Sequence, residues 1–144
     1  GDDTLDAGAG ADTVRGGAGN DSIIAAGGGG NDSYDGGADI DTLLFTSAVT
    51  LGVGGALIAN VENLNMGGFA LTVQGTTALD LSGYAVSNPG AITGDTAYNT
   101  ITGSAIADSI SGGTGNDVLA GGGGADTLVG NIRFYGIEIR KAGT

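Results

Sequence analysis

Aspartates recur at a fixed spacing in this chain, and each follows a run of glycines. Residues 112–130, GGTGNDVLAGGGGADTLVG, hold two consecutive nonapeptide units with the pattern GGxGxDxUx, in which U is a large apolar residue. Asp117 and Asp126 take the sixth position of these units. Carboxylate and backbone carbonyl oxygens are hard donors that suit calcium. The chemistry that these residues could do is therefore cation binding.

The glycines and the apolar residue indicate how the aspartates are positioned. Three glycines in four positions permit positive φ and close backbone approach, so the first six positions suit a tight turn. The segment xUx is then a very short strand with one inward apolar residue. Two units make one rung of a solenoid, and rungs stack about 4.8 Å apart. Aspartates that lie two units apart form columns, which repel unless cations lie between them.

The same register runs through residues 1–44. Asp3 and Asp21 lie two full units apart and form the clearest pair of this block. The pairs Asp12 with Asp32 and Asp21 with Asp41 are spaced more widely, because the alanines at positions 25 and 26 are extra. Both pairs survive if the alanines bulge outward, and both are weakened if the alanines shift the rung.

The register returns in a degenerate form from residue 94. Asp108 lies two units before Asp126, and Asn99 lies two units before Asp117. Asn99 brings an oxygen without the charge, so we expect a weaker or empty site there.

The repeat is similar to the nonapeptide of RTX proteins, the calcium-binding β-rolls of secreted bacterial proteins. The resemblance covers residues 1–44 and 94–130 and implies an all-β fold, a right-handed parallel β-roll or β-helix solenoid that binds several Ca²⁺ ions. It implies carboxylate ligands from Asp3, Asp12, Asp21, Asp32, Asp41, Asp108, Asp117 and Asp126. It implies backbone ligands from the turns around Gly8, Gly10, Gly17, Gly19, Gly28, Gly30, Gly113, Gly115, Gly122 and Gly124.

Residues 45–93 lose the nonapeptide and keep the apolar alternation of β-strands, in Val49, Leu51 and Val53, in Leu64 and Met66, in Phe69, Leu71 and Val73, and in Leu79 and Leu81. We interpret this spacer as wider rungs of the same β-helix, with a separate small β-domain or a hairpin as the alternative. We expect Glu62 and Asp80, the acids of this segment, to be solvated.

The tail, residues 131–144, carries three of the four basic residues. It is predicted to be a capping strand, since solenoid ends must be covered. The start of a type I secretion signal and an assembly junction are the alternatives.

Composition excludes several classes of function. The 144 residues include 32 glycines, 16 acidic and 4 basic residues, no cysteine and no histidine, with a net charge of −12. Thiolate or imidazole zinc sites and histidine-assisted nucleophiles are absent. The acidic charge argues against nucleic acid or an anionic membrane as partner, and no apolar run is long enough for a membrane span.

The sequence therefore predicts a non-enzymatic, calcium-binding segment of a secreted or cell-surface protein, unfolded where calcium is scarce. The chain opens inside a repeat without an initiating Met, so we expect it to be part of a longer protein. The resemblance implies a type I secretion apparatus as a partner. The alternatives are a spacer of a surface adhesin or surface-layer protein, which would self-associate, and the C-terminal secretion module of a hydrolase.

Overall fold

The computed structural model describes residues 1–26, 32–51, 58–76 and 78–130, and the backbone alone of residues 138–140. The chain is an all-β parallel solenoid of about six turns, and the described residues contain no helix. The strands are β1 (Thr4–Asp6), β2 (Thr13–Ala18), β3 (Ser22–Ala25), β4 (Ser33–Ala38), β5 (Thr42–Phe45), β6 (Val49–Leu51), β7 (Ile58–Ala59), β8 (Asn63–Asn65), β9 (Leu71–Val73), β10 (Ala78–Asp80), β11 (Ala85–Ser87), β12 (Ala91–Gly94), β13 (Thr100–Thr102), β14 (Ser109–Ser111), β15 (Val118–Ala120), β16 (Thr127–Val129) and β17 (Glu138–Arg140).

The strands form four parallel sheets. Sheet A has the order β1-β3-β5-β8-β11, and sheet B has the order β2-β4-β7. Sheet C has the order β6-β9-β12-β14-β16, and sheet D has the order β10-β13-β15-β17. Strands of sheets A and B alternate at the start of the chain, and strands of sheets C and D alternate at its end. In the middle of the chain, each rung of the solenoid contributes one strand to sheet A and another strand to sheet C. No helix that could span a membrane is found in the part of the chain described.

The length of a rung follows the repeat. Thr4 pairs with Ser22, and Ser109 pairs with Thr127. Each of these steps equals two nonapeptide units, which confirms the predicted rung. The rungs widen where the nonapeptide is lost, since Tyr34 pairs with Ile58, well beyond the position that two units would reach.

Inward apolar residues of successive rungs stack into ladders, from the eighth positions of the repeats and from the spacer. The central residues of sheet A are in register as Leu5, Ile23, Leu43, Leu64 and Val86. In sheet C the inward residues in register are Val49, Leu71, Ile92, Ile110 and Leu128. All of them belong to one core cluster or pack against it. Full burial of such a side chain contributes about 1.5–3 kcal/mol, so the buried members of the ladders account for a large share of the fold's stability.

The extra alanines neither bulge outward nor shift the rung so as to separate the aspartate pairs. Ala25 is fully buried within β3 and pairs with Phe45 of β5. The insertion lengthens the strand and gives it a second inward position, because burying an alanine beside Phe45 is more favourable than exposing both alanines in a bulge. The two wider aspartate pairs are kept, since each remains joined by a hydrogen bond between rungs.

The spacer strands continue the flanking sheets. Strands β8 and β11 extend sheet A, and β9 and β12 extend sheet C. Phe69 does not continue the inward alternation of β9, since it lies before the strand and is 39% exposed. Val53 and residues 131–137 and 141–144 fall outside the described residues. The division of the chain at residues 44, 93 and 130 remains a prediction.

Candidate metal centre

Glycine turns bring consecutive rungs into close contact. Gly113 has φ +80° and Gly122 has φ +83°, a region that favours glycine. A Cβ atom at Gly113 would collide with the carbonyl oxygen of Asp95, and one at Gly122 with that of Ser104. These positions must therefore be glycine for two reasons, backbone conformation and the closeness of the preceding turn.

In the described turns, the aspartate at the sixth position of a unit, or Asn99 in its place, contacts the matching aspartate of the next rung. In every such pair the backbone N–H of the first residue donates to a carboxylate oxygen of the second. The pairs are Asp3 with Asp21 (2.8 Å), Asp12 with Asp32 (2.9 Å), Asp21 with Asp41 (2.8 Å), Asn99 with Asp117 (3.0 Å) and Asp108 with Asp126 (3.1 Å). The structure thus brings together every pair that the spacing predicts.

The other carboxylate oxygen of most of these residues is buried and has no hydrogen-bond partner. Among the described residues this is true of Asp12 Oδ2, Asp21 Oδ2, Asp41 Oδ2, Asp108 Oδ1, Asp117 Oδ2 and Asp126 Oδ2. An unpaired buried carboxylate is strongly unfavourable. Each of these turns therefore carries a polar atom that the protein itself does not satisfy.

A carbonyl oxygen from the next rung accompanies the free carboxylate oxygen. A Cβ atom at Gly16 would collide with both Asp21 Oδ2 and the carbonyl oxygen of Gly36. In the second block a Cβ at Gly103 would meet the carbonyl oxygen of Gly121 and Asp108 Oδ2. That oxygen already accepts from Ser104, and the free oxygen of Asp108 is Oδ1. No three Asp or Glu side chains gather at one point in the described residues. The donor set is a carboxylate with a carbonyl, which fits the oxygen chemistry of calcium.

Two turns are completed by protein groups instead. Asn99 is fully buried, and its Nδ2 donates to the carbonyl oxygen of Gly75 at 2.7 Å. Asp32 accepts a hydrogen bond of 2.9 Å from the hydroxyl of Tyr34 on its Oδ2. Burial raises the pKa of Tyr34, and this hydrogen bond raises it further, so the hydroxyl stays a donor at neutral pH.

Three polar groups that contact the columns are not predicted from the sequence. Glu62 is exposed, as expected, but its Oε2 accepts the N–H of Asp41 at 2.8 Å. Ser104 donates its N–H and its hydroxyl to Asp108 Oδ2, at 2.7 and 2.9 Å. Asp95 accepts from the N–H groups of Gly75 and Ala97, which lower its pKa. For Glu62 the available signal was its position, which falls about one rung after Asp41.

The predicted glycines occupy the turns. Positive φ angles occur at Gly8, Gly10, Gly17, Gly19, Gly113, Gly115, Gly122 and Gly124. Gly28 and Gly30 lie outside the described residues. Asp39, which replaces the fourth glycine of its unit, also has a positive φ of +82°. Asp3 is exposed, and it ends the first column at the start of the chain.

Parallel rungs joined by glycine turns that carry columns of carboxylates define a class of cation-binding repeat proteins. The sequence profile described as RTX calcium-binding nonapeptide repeat (4 copies) matches residues 1–28, 24–43 and 102–132, just over half of the chain. The chain belongs to this family, whose repeats bind calcium, and the matched segments are non-catalytic repeats. Comparisons with curated proteins and with solved structures give no significant match.

Proposed function

We propose that the chain is a β-roll segment of a secreted bacterial protein that folds on binding calcium outside the cell. The observation that carries this proposal is the set of buried carboxylate oxygens without a partner. Stacked at the spacing of neighbouring strands, these charges repel one another. The stacked state therefore needs a cation that the protein does not supply.

The candidate ligands follow from the geometry of the turns. Asp12, Asp21, Asp41, Asp108, Asp117 and Asp126 would each contribute the oxygen that has no hydrogen bond, with carbonyl oxygens from the glycine turns. Calcium bound there would neutralise the carboxylates and coordinate the carbonyls. We retain Asp3 as a candidate calcium ligand at the end of its column. Asp32 is the weakest candidate, because Tyr34 already satisfies its second oxygen.

The physical mechanism is linkage between binding and folding. The turn oxygens come together only when the rungs stack, so the free energy of ion binding becomes free energy of folding. Extracellular calcium modules bind at about 0.1–1 mM. Such affinities keep the chain unfolded in a calcium-poor cytosol and let it fold outside.

The spacer, residues 45–93, gives the fold a core that needs less calcium. Leu51, Met66, Val73 and Leu81 are buried there in addition to the ladder residues. We propose that residues 1–44 and 94–130 are the calcium-dependent blocks on either side and that residues 131–144 form a cap. Export by a type I secretion apparatus fits this arrangement, with any catalytic domain elsewhere in a longer protein.

Far-UV circular dichroism during a calcium titration tests the proposal, with magnesium as the control ion. The unchanged chain should gain β signal with calcium and not with magnesium. The double variant Asp21→Ala/Asp126→Ala loses an acceptor and a free oxygen in each block, so its transition should be blunted and need more calcium.

The matched control is Asp80→Ala, which removes an exposed acid of the spacer outside the columns. Its calcium midpoint should stay close to that of the unchanged chain. A full β signal in chelator that calcium leaves unaltered would refute calcium-dependent folding.

A further inference from the structure

The first carboxylate column does not end within the nonapeptides. After Asp3, Asp21 and Asp41 its next member is Glu62, whose Oε2 accepts the Asp41 N–H at 2.8 Å. Glu62 belongs to the spacer, outside the segments that match the family. Its longer side chain takes the position that an aspartate takes in the rungs before it.

Asp41 is the acid of this column with the least contact with solvent. It is 0% exposed, and its Oδ1 accepts the N–H of Asp21 at 2.8 Å. Its Oδ2 is buried and has no hydrogen-bond partner. The Asp41 side chain thus places one unsatisfied carboxylate oxygen beside Gly36 and the carbonyl oxygen of Asn60.

The spacer supplies a carbonyl oxygen at that point. A Cβ atom at Gly36 would collide with the carbonyl oxygen of Asn60 and would lie 2.5 Å from Asp41 Oδ2. One rung earlier, Asp21 Oδ2 and the carbonyl oxygen of Gly36 have the same relation to Gly16. The carbonyl of Asn60 therefore takes the place of a glycine carbonyl, although no nonapeptide is present.

The backbone of Asn60 is specialised for this position. Its φ is +50°, in the left-handed region, which asparagine tolerates better than most residues. Its Nδ2 donates to Asp35 Oδ1 at 2.8 Å. The side chain is thus held by Asp35, and the carbonyl borders the turn.

We propose that the divalent cation held by Asp41 Oδ2 takes its carbonyl ligand from Asn60 of the spacer and not from a glycine turn, so that this site is built by the junction of the first repeat block with the spacer. Glu62 fixes the Asp41 backbone and adds negative charge. The ligand class is a hard divalent cation, calcium above all. The site rests on the proposed function, and it would make the docking of the spacer onto the first block dependent on calcium.

Two variants of Asn60 test the site by the number of calcium ions bound at saturation, measured by isothermal titration calorimetry on the full chain. Asn60→Gly keeps the left-handed backbone, so it should bind as many ions as the unchanged chain. Asn60→Val disfavours that backbone and displaces the carbonyl, so it should bind one ion fewer. Both variants lose the hydrogen bond to Asp35, which makes them matched controls for each other.

Equal ion numbers in both variants and in the unchanged chain would overturn the site while leaving the proposed function intact. No calcium binding by the unchanged chain would overturn the proposed function and the site together. If Asn60→Val does not fold, a crystal structure of the unchanged chain grown with calcium decides. We expect an ion about 2.3–2.6 Å from both Asp41 Oδ2 and the Asn60 carbonyl oxygen, and ions at the other turns with none at this position would reject the site.

Discussion

At position 99 a column of acids contains an amide. Asn99 Nδ2 donates to the carbonyl oxygen of Gly75, and Asn99 Oδ1 accepts the N–H of Asp95 at 3.1 Å. Asp117, one rung on, has one oxygen paired with the Asn99 N–H and the other unpaired. Exchanging a charged oxygen for an NH₂ group thus makes a turn complete within the protein. This turn also lies outside the matched segments.

Asn99→Asp should convert this turn into one that needs a cation. The variant loses the donor to Gly75 and places a carboxylate in a fully buried position. At the lowest calcium concentration that folds the unchanged chain we expect it to lose about 1–3 kcal/mol of unfolding free energy, and at high calcium to bind one additional ion. Urea unfolding and calorimetry measure the two effects. The reverse exchange, Asp117→Asn, should remove one ion, and an unchanged ion number in both variants would contradict this explanation.

Tyr34→Phe removes the hydroxyl that satisfies Asp32. Asp32 is 5% exposed, so its Oδ2 would become a buried oxygen without a partner. In saturating calcium we expect a loss of about 1–3 kcal/mol in unfolding free energy, measured by urea unfolding. Tyr84→Phe is the matched control, because its hydroxyl is 3.5 Å from the carbonyl oxygen of Ile58, a much weaker contact. Equal losses in the two variants would show that the Asp32 contact has no special role.

The sequence is informative about the acids because their spacing alone places them in columns. It is not informative about the groups that complete the columns. The carbonyl oxygen of Asn60 becomes a donor only through a left-handed backbone, and the hydroxyl of Tyr34 acts only because its inward position lies beside Asp32. Such contacts depend on local conformation, which a repeat pattern does not specify.

At the scale of elements, polar contacts hold described turns of neighbouring rungs together. Asp95, which follows β12, accepts the N–H of Gly75 in the turn after β9 and that of Ala97 in its own turn, both at 2.8 Å. These donors favour the ionised carboxylate and lower its pKa below the ordinary value of 3.8. The charge of Asp95 thus links two rungs.

Asp95→Asn should destabilise the chain in a pH-dependent way. Because the folded-state pKa is lowered, the stabilisation from the carboxylate is complete above pH 3.8 and is lost as the pH falls through the folded-state value. The thermal midpoint of the variant should be lower at neutral pH, and the difference should shrink below pH 3.8. Melting curves recorded from neutral to strongly acidic pH measure it. A difference that stays constant over this range would contradict the proposed link.

The strands themselves are largely predictable. Leu5, Ile23 and Leu43 occupy the inward positions that the nonapeptide assigns, because one apolar residue per short strand must face the core. The predictions that are wrong, for Ala25 and Phe69, concern positions where the repeat is interrupted. Ala25 extends a strand instead of leaving it, and Phe69 remains partly exposed, since burial within a ladder depends on the neighbouring rungs as well as on local alternation.

At the scale of the molecule, the segments that match the repeat family lie on either side of a stretch richer in buried apolar residues. The net charge of −12 on 144 residues opposes compaction, and the aspartate columns concentrate that charge within the turns. The spacer buries Leu71, Val73 and Leu81 completely. We therefore expect the blocks to respond to calcium more strongly than the spacer does.

The most direct test is a crystal structure of the chain grown with calcium, with the ions located by anomalous scattering. We expect peaks about 2.3–2.6 Å from the free oxygens of Asp21, Asp117 and Asp126, and no peak at Asn99. Water molecules instead of ions at those carboxylates, with full rung stacking in saturating calcium, would contradict the claim that calcium completes the turns.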